Sequence, residues 1–154
     1  MNGSLQRSFQ GYEPGPAMDT LGLGLTSIGD IGGAYVQNHH RLREYEAAVD
    51  AGILPVERGW TRTFEDEVRR TAIWDLMCRF RLDYRGFADR FEVDHDAYFG
   101  EAHAALEHLA GEGLVERGDE GVEVTELGKV FVRNVAMIYD AYLPGQRAKF
   151  SRTV

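Results

Sequence analysis

The chain has 154 residues, 44% hydrophobic and 27% charged, with eight Phe, seven Tyr, two Trp and a net charge of −8. An apolar fraction of this size builds a folded core, which excludes a disordered tail. The acidic balance argues against a generic binder of nucleic acid or anionic membrane, and no uncharged run is long enough to span a bilayer.

The N-terminus lacks a basic start followed by an apolar run and a cleavage site, so the expectation is a soluble, cytoplasmic protein. One cysteine, Cys78, excludes an internal disulfide and any thiolate-held zinc or iron–sulfur centre supplied by this chain alone.

The first 33 residues hold eight of the eighteen glycines and two of the four prolines. Glycine costs backbone entropy and packs no side chain, so this segment buries little by itself. Thr20 to Ile28 reads as one short strand that admits a close approach to its backbone, and a lone strand implies a sheet completed elsewhere. Asn38 is expected to cap a helix running to Asp50, with Leu42, Tyr45 and Val49 on one face and Gly52 as its stop. Ile53 to Trp60 reads as a connector around Pro55.

Thr63 with Asp66 opens a second helix, in which Phe64, Val68, Ala72, Leu76 and Phe80 recur every four residues. A short helix is expected from about Tyr84 to Phe91, and another from Asp96 to Ala110 carrying Phe99, Ala102, Leu106 and Leu109. Residues 114–117 and 122–125 alternate around Gly118-Asp-Glu-Gly121 and predict a hairpin. A last helix follows, with Leu127, Val130, Phe131, Asn134, Val135, Ile138 and Tyr142 on one face, ended by Pro144 and Gly145. Helix, short helix, helix, hairpin, helix is the winged-helix order, assigned to residues 60–143.

Winged helices commonly bind DNA through the helix before the hairpin. Here residues 96–112 contain no Lys or Arg, and residues 60–143 carry ten basic against eighteen acidic side chains. Phosphate would be repelled, so no nucleic-acid partner is expected. No metal site is expected either: His103 and His108, five apart, do not share a helix face, and His39 and His40 lack a carboxylate-rich surround. Gly22-Leu-Gly24-Leu-Thr-Ser27 is a weak dinucleotide fingerprint, because Ser27 stands where the third glycine belongs.

Specific motifs go further. Phe9-Gln-Gly-Tyr12, Leu21-Gly-Leu-Gly-Leu-Thr-Ser-Ile-Gly29 and Tyr35-Val-Gln-Asn38 resemble the end of the catalytic barrel of the oxygen-independent coproporphyrinogen III oxidases. Arg69-Arg70, Phe80-Arg-Leu-Asp-Tyr84, Gly113-Leu-Val115, Val132-Arg-Asn-Val135 and Phe150-Ser-Arg152 resemble that family's C-terminal domain. The resemblance implies a mostly α (α+β) chain: a winged-helix-like domain preceded by a terminal strand and loop of a truncated radical-SAM (β/α) barrel. The implied division is 1–37 for the barrel end, 38–59 for a helix and connector, 60–143 for the winged-helix-like domain and 144–154 for a tail.

It also implies a parent oxidoreductase of haem biosynthesis that decarboxylates coproporphyrinogen III to protoporphyrinogen IX with S-adenosylmethionine and a [4Fe–4S] cluster. By family position, Phe9, Gln10 and Ile28 meet S-adenosylmethionine. The substrate carries four propionates, and planar arginine forks bind carboxylates in bidentate fashion, so Arg70, Arg81, Arg133 and Arg152 are candidate substrate contacts. Surface pairing with a neighbouring acid is the competing reading for each, with Asp83 near Arg81 and Asp140 near Arg133. With one cysteine the chain is expected to be inactive alone, to bind no cofactor alone and to need the N-terminal catalytic barrel as its partner. The alternative is a non-catalytic acidic winged helix that meets protein, or a haem-handling relative.

Overall fold

A computed structural model describes residues 5–8, 11–15 and 18–143. Strand β1 (Leu5–Ser8) pairs with β2 (Gly11–Pro14) in an antiparallel hairpin, and β1 packs on the long helix α2 described below. Three further strands form an antiparallel sheet of order β3-β4-β5: β3 (Ile28–Ile31), β4 (Ala34–Asn38) and β5 (Val56–Thr61). Helix α1 (Leu42–Asp50) bridges β4 and β5.

This region departs from the sequence reading in three ways. Thr20 to Ile28 is a loop; the strand begins at Ile28 and finds its partners within the chain. Ile53 to Trp60 contains β5, whose β-branched and aromatic residues pair with a strand some twenty positions earlier in sequence. Asn38 does not cap α1. It ends β4, and the helix starts at Leu42 with no side-chain cap. The face carrying Leu42 and Val49 is exposed, and Ala48 is the helix's buried residue.

The rest of the described chain is helical around a third small sheet. Helix α2 (Phe64–Arg79) opens on a reciprocal capping box, Thr63 Oγ1 accepting from the Asp66 N–H at 3.2 Å and the Asp66 carboxylate accepting from the Thr63 N–H at 2.8 Å. Strand β6 (Arg81–Asp83) and helix α3 (Tyr84–Phe91) follow, and the Asp83 side chain caps α3. Next come α4 (His95–Tyr98), a 3-10 turn over Gly100–Ala102 and α5 (His103–Gly111). The single helix expected here breaks at Phe99, beside Gly100, a weak helix former.

Strands β7 (Val115–Gly118) and β8 (Gly121–Val124) form the expected hairpin, and β6 joins it in the order β6-β8-β7. The last helix is also divided, at Phe131, into α6 (Glu126–Val130) and α7 (Val132–Met137). That break turns Leu127, Val130 and Phe131 to solvent, while Val132, Val135, Ala136 and Tyr139 enter the core. The core joins Val68, Ala72 and Leu76 of α2 to Leu82, Phe87, Phe99, Leu106, Val122 and Tyr139. Seven helices and small sheets make a mixed α/β chain among the described residues.

Candidate functional site

Ile28 opens β3, opposite Gln37, and its residue is half-buried. The loop before it is braced against the sheet. Thr20 pairs with Asp30 through two backbone hydrogen bonds of 2.7 and 2.9 Å, the Thr26 N–H donates to the His39 carbonyl, and the Asn38 N–H to the Ser27 carbonyl. The Asn38 side-chain amide, buried, donates to the carbonyls of Gly22 and Gly24, and the Tyr45 hydroxyl accepts from the Gly24 N–H. These partners explain why Asn38 left the capping role: its amide satisfies loop carbonyls that the sheet does not reach.

Glycine is required here for contact within the chain. A Cβ on Gly22 would lie 2.9 Å from the Ile28 carbonyl carbon and oxygen. The sequence pattern promised a close approach to the backbone, and the approaching group is the chain's own loop. Ile28 itself is a half-buried apolar side chain at a strand end. Beside it the loop exposes Leu21, Leu23 and Leu25, with Leu23 82% exposed.

The other nominated residues are scattered. Arg70, on α2, donates to Asp30 Oδ2 at 2.9 Å and lies 3.8 Å from Glu67. Its partner Asp30 lies on the same strand as Ile28, two residues on. Arg81 lies 3.7 Å from Glu120, whereas Asp83 is engaged in capping α3. Arg133 is exposed on α7 and has no ion pair with any described residue; in particular Asp140 is not its partner. Phe9, Gln10 and Arg152 lie outside the described residues. A shallow cavity of about 280 Å³ between Arg79, Phe80, Glu116, Glu123 and Lys129 involves none of the nominated residues.

Two polar clusters escaped the sequence reading. In the first, Asp30 is held from both sides: Arg62 donates to Oδ1 and Arg70 to Oδ2. Arg62 also donates to Glu67 and lies over the Tyr35 ring at 4.8 Å. Its side chain is 9% exposed, and burial works against its charge, but the bonds to Asp30 and Glu67 prevail and raise its pKa.

The second cluster surrounds His95, buried and stacked on Tyr84 with ring centres 4.1 Å apart. His95 Nε2 bonds the Tyr139 hydroxyl at 3.0 Å and Nδ1 bonds Asp96 at 2.9 Å. Asp96 also meets Arg117 and His103. Burial lowers the His95 pKa against the pull of Asp96, keeping the imidazole neutral. His95 stands four residues before Phe99, so its place on the buried face was readable from the periodicity.

Among the described residues no group of three or more His, Cys, Asp or Glu is placed to hold a metal ion, and Cys78 is buried in α2. This donor set does not fit an iron–sulfur cluster. No helix among the described residues is long and apolar enough to cross a membrane.

Comparison with known proteins places these features. Residues 63–131 match the HemN C-terminal domain, a span that starts at the Thr63 cap of α2 and ends where α6 gives way to α7. The chain is 43% identical over 155 residues to an oxygen-independent coproporphyrinogen III oxidase of Thermostichus vulcanus, covering 99% of this chain and 48% of that protein. The corresponding Helicobacter pylori protein is 41% identical over 97% of this chain and 33% of its own length.

A solved structure, described as coproporphyrinogen III oxidase (HemN) from Escherichia coli, a radical SAM enzyme, superposes with a TM-score of 0.87 at 38% identity. That match covers 92% of this chain and 32% of the other. The chain thus spans between a third and a half of the length of these relatives. Along nearly all of its own length the chain is similar to part of the oxygen-independent coproporphyrinogen III oxidases, and its residues 63–131 are similar to the HemN C-terminal domain.

Proposed function

We propose that the chain forms the C-terminal part of an oxygen-independent coproporphyrinogen III oxidase, an oxidoreductase of haem biosynthesis that turns two propionates of coproporphyrinogen III into the vinyls of protoporphyrinogen IX. The likeness to the E. coli structure, a TM-score of 0.87 over 92% of the chain, carries this reading. S-adenosylmethionine and the [4Fe–4S] cluster supply the oxidising chemistry when bound in the complete enzyme. This chain's share is contact and cover.

On this reading residues 1–37 end the barrel, 38–59 connect, 60–143 form a winged-helix-like domain and 144–154 a tail. The order helix, β6, α3, α5, β7, β8, with β6 beside β8, supports the winged-helix assignment. Ile28 supplies an apolar contact to S-adenosylmethionine, and by family position Phe9 and Gln10 meet the same cofactor; the Gln10 amide can donate and accept at a polar cofactor edge. The exposed leucines of loop 21–25 face the partner, the N-terminal catalytic barrel.

Of the candidate substrate arginines, Arg133 carries no ion pair with a described residue and is the freest to take a propionate. Arg70 is held by Asp30 and Glu67, Arg81 lies near Glu120, and Arg152 completes the set. The test is a chimera in which this chain replaces the matched third of the E. coli enzyme. Gln10→Ala in that chimera is expected to lower turnover and leave the cluster's absorbance intact. Loss of the absorbance, or unchanged turnover, refutes a contact between Gln10 and the organic cofactor.

A further inference from the structure

We infer that Asp30 is a positioning residue for the Ile28 site, acting through a carboxylate clamp that joins β3, β4 and the segment after β5 to α2; the cofactor role of Ile28 that it serves rests on the reading above. Ile28 and Asp30 are two apart on β3, so their side chains leave the same side of the strand. Asp30 Oδ1 takes a hydrogen bond from Arg62, just beyond β5, and Oδ2 takes one of 2.9 Å from Arg70 on α2. Arg62 is fixed in turn by Glu67 on α2 and by the Tyr35 ring on β4.

Two carboxylates and two guanidiniums thus alternate, each arginine bridging elements that share no backbone hydrogen bonds with α2. The backbone of Asp30 is meanwhile paired on both edges, with Tyr35 on one side and Thr20 on the other. The sheet brings little apolar burial to this junction: every residue of β5 is exposed, and α1 buries Ala48. Charge-assisted bonds therefore set where β3, and with it Ile28, sits against α2.

The first arm uses the 154-residue chain and hydrogen exchange. Asp30→Asn is expected to speed exchange of the Thr20, Thr26 and Asp30 amides about ten- to a hundredfold, the loss of charge-assisted bonds, while the Val124 and Thr125 amides of the helical core keep their rates. Arg62→Lys, which cannot reach both carboxylates with adjacent N–H groups, is expected to reproduce the pattern. Equal acceleration at all five amides overturns the inference, because it marks a general loss of stability.

The second arm uses the chimera. Asp30→Asn is expected to raise KM for S-adenosylmethionine severalfold with a smaller change in kcat, and an unchanged KM overturns the positioning role. A chimera that is inactive with Asp30 intact fails the functional reading instead, and the exchange arm then decides the clamp by itself.

Discussion

Gly128→Ala reverses the sign that helix propensity assigns to it. Gly128 lies inside α6, where alanine ordinarily stabilises by about 1 kcal/mol. A Cβ at this position, however, would stand 1.9 Å from the Leu114 carbonyl oxygen and 2.8 Å from Val124 Cγ1. The oxygen cannot yield freely, because it accepts from the Thr125 N–H at 3.1 Å and from Thr125 Oγ1 at 3.2 Å. Thr125 Oγ1 in turn caps α6 by accepting from the Gly128 N–H at 3.0 Å.

Relief of the clash therefore pulls α6 off the hairpin and breaks the cap, at about 1 kcal/mol, and a partly buried backbone bond, at about 1–3 kcal/mol. Less the propensity gain, the net loss is about 2 kcal/mol, or about 4–8 °C in Tm for a chain of this size. Urea denaturation followed by circular dichroism measures it. Gly111→Ala, at the end of α5 with nothing within 4 Å of its added Cβ, is the control and is expected to be neutral or stabilising. An unchanged or raised midpoint for Gly128→Ala refutes the close approach of α6 to Leu114.

Tyr139→Phe leaves the buried His95 Nε2 without its partner and is expected to cost about 1–3 kcal/mol in denaturant titration; a neutral result would show that water replaces the hydroxyl. Because burial lowers the His95 pKa, the unfolded chain takes up a proton first, so the His95 contribution to stability is expected to be complete above about pH 6.5 and to shrink as pH falls below it. At Asp66, burial raises the pKa, but hydrogen bonds from Tyr142, Thr63 and Trp60 prevail and bring it to about 2. Its stabilisation is thus present above the ordinary range near 4 and is lost as pH falls through 2, so Tm curves of the wild type and Asp66→Asn are expected to differ at pH 7 and converge near pH 2. Isolated chain titrated with S-adenosylmethionine by calorimetry is expected to show a Kd weaker than about 1 mM, since a few residual contacts do not offset the cost of association; saturable micromolar binding would refute this.

Local signals carried the helical half of the chain. The Thr63–Asp66 box, the four-residue apolar spacing of α2 and the glycine-bounded hairpin are short-range patterns; the box and the hairpin stand in the structure, and of the apolar stripe Val68, Ala72 and Leu76 are buried while Phe64 is exposed and Phe80 lies past the helix end as its left-handed cap. The two helix breaks were harder to read, because the apolar spacing runs across Phe99 and Phe131 without interruption while packing turns the chain at both. The β4–β5 pairing was illegible for a different reason: it joins residues some twenty apart across α1, and the exposed β5 gives no alternation, whereas β3 and β4 meet through the local Gly32-Gly33 turn. Asn38 misled because an amide that caps a helix can equally satisfy loop carbonyls, and only the fold decides between them. The Asp30 clamp assembles residues 30, 62, 67 and 70 from elements whose adjacency no local pattern announces.

The most direct test of the functional reading is turnover by the chimera carrying this chain in place of the matched third of the E. coli enzyme. Purified anaerobically with its cluster, and given coproporphyrinogen III, S-adenosylmethionine and a low-potential reductant, it is expected to yield protoporphyrinogen IX, read by chromatography after oxidation to the porphyrin. A soluble chimera with the cluster's absorbance intact that releases no divinyl product would contradict the assignment of this chain to that enzyme.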